Sequence, residues 1–259
     1  MQARHRWYRT MAPHRGVRRR TEADVVYGLD SWLEAAAAPG SPTRIVVLAA
    51  GPSANTYEHR DGDLIVATNS SQELARAHPY VYFLSEGFHV DRFTKLGPAS
   101  SSCRGVFFRV ATADRPTVQS DVANRVLGYG RRYVRTVPEV FASDLEPTGI
   151  ERETFDQFEA AILDLLGLPI RQYNSGFGAT YLGYFLAARL DASLCLYGLD
   201  AGVSGHAHFD GTSMQSPSVV GDRVRTKLGE LLDLLAEQDH VDVVNRSAFR
   251  PTAEQRDDA

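Results

Sequence analysis

The chain has 259 residues, 43% of them hydrophobic and 23% charged, with two cysteines and a formal net charge of −4. That length buries a sizeable core, and that balance excludes disordered and collagen-like classes. Two cysteines, Cys103 and Cys195, supply neither a disulfide framework nor a four-cysteine zinc site. The longest apolar runs fall far short of the about 20 residues that a membrane span needs. No apolar leader follows the N-terminal arginines, so a cytoplasmic protein without membrane insertion is expected.

The charge is unevenly spread. Seven of the 28 basic residues lie within 1–20, where no acid occurs, leaving 21 basic against 32 acidic residues over the rest. Residues 1–20 therefore read as a basic, flexible arm, and the acidic remainder as a poor nucleic-acid binder. Residues 21–249 read as one α/β domain and 250–259 as a disordered tail.

In chain order, Thr21 with Asp24 resembles a capping box, and Val25, Leu29, Trp32, Leu33 and Ala36 recur at helical spacing. Pro39-Gly40-Ser41-Pro42 ends that helix. Residues 44–49 are a continuous apolar run, the pattern of a strand buried on both faces of a parallel sheet. The runs 64–67 and 80–84 repeat it, 105–110 and 133–137 do so more weakly, and 194–197 and 241–244 close the series. Helical periods fall between them: Phe155, Phe158, Ile162 and Leu165; Phe177, Tyr181, Tyr184, Phe185 and Ala188; and Val220, Val224, Leu228, Leu231, Leu232 and Leu235. The alternation predicts an α/β fold with a mostly parallel sheet flanked by helices.

Ligands of such sheets bind beyond the carboxyl ends of the strands, so the strand ends carry the functional reading. After the first strand comes Gly51-Pro52-Ser53-Ala54-Asn55. Gly51 allows close approach of backbone to ligand, and Ser53 is placed to cap the turn. Asn69 ends the second strand and offers a donor and an acceptor to a base or ribose. Asn174-Ser175-Gly176 opens the apolar helix that feeds 194–197 and then Gly198-Leu199-Asp200. Asn174 or Ser175 would cap that helix, and Gly176 would leave its first N–H groups open to a phosphate.

These segments, with His206-Ala207-His208-Phe209-Asp210, resemble the sialyltransferases of glycosyltransferase families 29 and 42. The resemblance covers roughly residues 44–70 and 170–245 and implies a GT-A-like variant of the Rossmann-like fold. It also implies a cytidine monophosphate (CMP)-activated acidic sugar as donor, a hydroxyl acceptor, inversion, and no metal or other cofactor. Carried over by position, Gly51, Pro52, Ser53, Asn55, Asn69, Asn174, Ser175, Gly176, Gly198 and Asp200 hold the nucleotide. His206, His208 and Asp210 are the catalytic candidates. The chain departs from the pattern at Ala50, where the family has Asn, and at Ala207, where it has His. It departs again at Gln215-Ser216-Pro217-Ser218, near the family's usual catalytic histidine.

Three other readings stand beside this one. Gly198-Leu199-Asp200 and Gly205-His206-Ala207 also resemble pterin pyrophosphokinase-like proteins, which would make the chain a diphosphate or nucleotidyl transferase. A non-catalytic nucleotide-binding protein is the third class. His206, His208 and Asp210 have the spacing of metal ligands, but the residues after them offer few further ones. Asp61-Gly62-Asp63 matches a metal-binding Asp-x-Asp and is read as a turn before a strand. Glu86 and His89 are placed to border an acceptor, and homo-oligomerisation is left open.

Overall fold

The structure, a computed structural model, describes residues 29–37, 40–84, 102–109, 133–136, 149–171, 173–203, 208–211 and 221–250. The arm at 1–20, the tail beyond Arg250, Glu86, His89, His206 and residues 215–218 lie outside the described residues.

Among the described residues seven strands form: β1 (Arg44–Leu48), β2 (Asp63–Thr68), β3 (Tyr80–Leu84), β4 (Cys103–Arg109), β5 (Tyr133–Thr136), β6 (Ser193–Tyr197) and β7 (Val243–Asn245). They make one sheet in the order β5-β4-β3-β2-β1-β6-β7, and every neighbouring pair is parallel. The strand pattern explains its own composition. Ile45, Val47, Leu64, Val66, Val81, Phe83, Leu194 and Leu196 belong to the core that the helices also enter. Their alternates Val46, Leu48, Ile65, Ala67, Tyr80, Tyr82, Cys195 and Tyr197 are buried as well. Successive side chains point to opposite faces, so a strand covered on both must be apolar throughout. Of the two weaker runs, 133–137 holds the edge strand β5 and 105–110 its neighbour β4, while the run 241–244 is offset from the other edge strand, β7.

Among the described residues the α-helices beside the sheet are α1 (Leu29–Ala37), α2 (Gln72–Ala75), α3 (Gly149–Leu166), α4 (Ser175–Leu190) and α5 (Asp222–Ala236). In α5 the expected face is buried, through Val224, Leu228, Leu231, Leu232 and Leu235. In α4 the expected stripe understates the burial, because residues 175–187 are buried on every side. That helix packs across β1, β2, β3 and β6. It lies so close to the sheet that a Cβ on Gly183 would sit 2.4 Å from Val47 Cγ2.

At the amino edge of the sheet, residues 61–62 form the turn the sequence predicts. Asp63 then enters β2 and receives two 2.6 Å hydrogen bonds from Arg44, with further ones from the Tyr57 hydroxyl and the Arg60 amide, both 2.9 Å. Burial pushes the Asp63 carboxyl up, but these donors outweigh it and hold the group below the usual carboxylate range.

Next to this pair the His59 and His78 rings stack 3.6 Å apart at 11°. Burial and the His59 ring lower the His78 pKa against the pull of Asp63. A histidine depressed in the folded state contributes stability that is complete above its ordinary pKa of about 6.5. That contribution is lost as pH falls towards the folded value. Wild type should therefore lose urea resistance between pH 7 and 5 more steeply than His78→Gln. Equal slopes in the two proteins would show that His78 contributes nothing to the pH dependence of stability. The contribution of Asp63 persists to more acidic pH, since its pKa is depressed from the carboxylate range.

Candidate functional site

The strand order places β1 between β2, where the chain goes next, and β6, to which it returns after β5. The carboxyl ends of β1 and β6 thus flank the switch point where α/β sheets receive their ligands. The two ends are bound tightly together. The Ala49 amide donates to Tyr197 O and the Gly51 amide to Gly198 O, both at 2.9 Å. A Cβ on Gly51 would lie 2.6 Å from Gly198 O and 2.6 Å from Asp200 Oδ2. Gly198 has φ +75°, and a Cβ there would meet Ala49 O at 2.4 Å. Both glycines are required where the two strand ends meet, and the sequence-based reason for Gly51, room for a ligand, is replaced by this one.

Ser53 also has a different task from the expected cap. The 3₁₀ turn Pro52–Thr56 carries no side-chain cap. Instead the Ser53 hydroxyl donates to Asp200 Oδ1 and accepts the Gly198 amide at 3.0 Å, while the Ser53 amide donates to Asp200 Oδ2 at 2.8 Å. Asp200, 1% exposed, takes a further bond from the Ala248 amide at 2.9 Å. Its carboxylate ties three chain segments together at the head of the crevice. The Leu199 amide donates to Ser247 Oγ at 3.0 Å, adding a second tie to the same C-terminal segment. Sequence reading missed Ser247 and Ala248, because a serine after an edge strand carries no distinguishing pattern.

Asn69 occupies the left-handed region, φ 54°, where Asn is among the most tolerated side chains. Its carbonyl accepts from the Tyr82 hydroxyl at 2.9 Å. The adjoining Ser71 hydroxyl lies against Leu48 O and Thr68 O and accepts the Thr68 amide at 3.0 Å, which docks this turn onto the end of β1.

The cap of α4 is Asn174, whose Oδ1 accepts the Phe177 amide at 3.2 Å. Gly176 is set by packing: a Cβ would meet Leu199 Cδ2 at 3.0 Å and Asn174 Oδ1 at 3.1 Å. The helix therefore starts directly against the Gly198–Asp200 turn, with Ser175 buried. A helix N-terminus favours an anion, through its unpaired N–H groups and the helix dipole. Asn174→Ala should cost about 1 kcal/mol of stability, the usual worth of such a cap. A change near zero in urea unfolding would mean that the bond to Phe177 adds nothing.

Residues 208–211 reach the same edge. The Phe209 amide donates to Ala50 O at 2.9 Å, and the Asn55 side chain donates to Phe209 O at 3.0 Å. These bonds hold the chain carrying His208 and Asp210 against the first candidate loop. Burial raises the Tyr57 and Tyr197 hydroxyls, whose rings meet edge-on at 5.5 Å, so both tyrosines are neutral at physiological pH. Among the described residues no group of three or more His, Cys, Asp or Glu is placed to hold a metal. Among them, too, no helix is long and apolar enough to cross a membrane.

No family model, curated protein or solved structure matches the chain. At the carboxyl edge of the sheet the 51–55 loop touches 198–200 and 208–211, the α4 start at 174–176 packs against Leu199, and the turn at 69–71 docks on the end of β1.

Proposed function

We propose that the chain is a metal-independent, inverting transferase of the sialyltransferase type, using a CMP-activated acidic sugar and an acceptor hydroxyl. The observation that carries the reading is the meeting of the resemblance-bearing segments at the β1/β6 switch point, although up to about 150 residues separate them in the chain. In this reading the nucleotide lies along Gly51–Asn55, Asn69 and Asn174–Gly176. The α4 N-terminus offsets charge on the leaving phosphate. The acceptor oxygen bonds to the anomeric carbon as the bond from that carbon to the phosphate oxygen breaks, and CMP departs with the electron pair. The hydroxyl proton passes to His208 or His206, with Asp210 as the neighbouring carboxylate. Histidine's ordinary pKa of about 6.5 suits that task.

Ligand-dependent stabilisation tests the binding half. CMP at 100 times its dissociation constant should add about 2.7 kcal/mol, while ATP adds little. A response to ATP alone would transfer the site to diphosphate chemistry. For the transfer half, turnover should persist in EDTA. Either His206→Ala or His208→Ala should then lower kcat roughly a hundredfold, within the usual span of general-base catalysis, and leave CMP affinity unchanged. If both variants keep wild-type turnover, neither histidine is the base.

A further inference from the structure

The side chains of Ser70 and Gln72, just beyond the carboxyl end of β2, take no part in the network described above. Gln72 is 0% exposed and Ser70 is 2% exposed. Neither the Gln72 Nε2 and Oε1 atoms nor Ser70 Oγ has a hydrogen-bond partner among the described residues. Leaving such groups buried and unpaired forfeits their hydration with nothing in return, a cost that a marginally stable domain does not carry without a reason. Both flank Ser71, whose hydroxyl docks this turn on Leu48 O at the end of β1. They therefore belong to the same edge as the candidate site. Asn69, which precedes them in the chain, is part-exposed, so the turn that buries Ser70 and Gln72 reaches the surface at that residue.

We propose that Gln72 and Ser70 form the subsite that reads the planar polar edge of a pyrimidine base, an inference that rests on the nucleotide reading of this site. A carboxamide presents one donor and one acceptor in a plane. The ring nitrogen and exocyclic amine of cytosine present the complementary pair. The Ser70 hydroxyl, able to donate or accept, serves the adjoining carbonyl. The phosphate end of the ligand is held elsewhere, at α4, so the two ends are separable by experiment.

The test uses the full-length chain, with Gln72→Leu and Ser70→Ala, and cytidine, CMP and orthophosphate as probes in calorimetry. Affinity for cytidine and CMP should fall roughly tenfold or more in Gln72→Leu and severalfold in Ser70→Ala, with orthophosphate binding unchanged. The thermal midpoint of the ligand-free variants should hold or rise, because unpaired buried polar groups have been removed. A clear drop in that midpoint for both variants would reveal an internal partner and overturn the subsite. Wild-type binding of CMP that both variants retain would overturn the subsite alone. Wild type with no response to cytidine or CMP would overturn the nucleotide reading together with it.

Discussion

Replacing Gly51 by alanine is expected to destabilise the fold by about 3 kcal/mol, the upper part of the range for overpacking a filled site. The new Cβ would stand 2.6 Å from Gly198 O and equally close to Asp200 Oδ2. Neither neighbour yields easily. Gly198 is held by its own amide's bond to Ser53 Oγ and by the bond its carbonyl accepts from Gly51, and the Asp200 carboxylate is held by Ser53 and Ala248. The alternative is separation of the β1 and β6 ends, which breaks the Ala49–Tyr197 and Gly51–Gly198 hydrogen bonds. Urea unfolding measures the loss. A change below about 1 kcal/mol would mean that the strand ends part freely and that their close apposition is wrong.

Asp200→Ala should be at least as damaging, costing about 4 kcal/mol. It leaves the Ser53 amide, the Ser53 hydroxyl and the Ala248 amide without their acceptor at a position 1% exposed. Hydrogen bonds to a charged group are worth about 1.5–3 kcal/mol each, and a buried donor left unpaired adds its desolvation cost. Asp200→Asn should fall between the two, since one oxygen still accepts while the amide N–H groups face donors. The two sites are in contact, so their effects should not add. Removing the Asp200 carboxylate deletes one of the atoms that an alanine at 51 would strike, and the double variant should lose less than the sum. Strict additivity in that cycle would show that the clash with Gly198 O alone sets the cost at Gly51.

These effects bear on how the candidate site is read. Asp200, Gly51 and Ser53 match the resemblance in sequence, and in the structure they hold one another. Asp200 is a positioning residue: it fixes the loop that carries Ser53 and Asn55, and through Ala248 the segment after β7. In the proposed reading a ligand meets the backbone of the Gly51–Asn55 loop, Asn69, Ser70, Gln72, the α4 N-terminus and the His208–Asp210 turn, while Asp200 holds that loop in place.

The sequence by itself determined the α/β class and the approximate place of all seven strands. A strand buried on both faces must be apolar through its middle, and residues 45–48, 64–67 and 194–197 show that run whatever surrounds them. It also determined the α4 start, because a side chain that caps a helix acts within three residues of itself, as Asn174 does on Phe177. Only the tertiary structure decided why the strand-end residues are what they are. Gly51 and Gly198 are glycines because two strand ends far apart in the chain press together, and Ser53 serves Asp200, 147 residues away. It likewise decided that α4 is buried all round, since its neighbours β1, β2, β3 and β6 come from both halves of the chain. Local pattern reports on groups that interact along the chain. These contacts close only when the sheet assembles, and no periodicity in the residues encodes their partners.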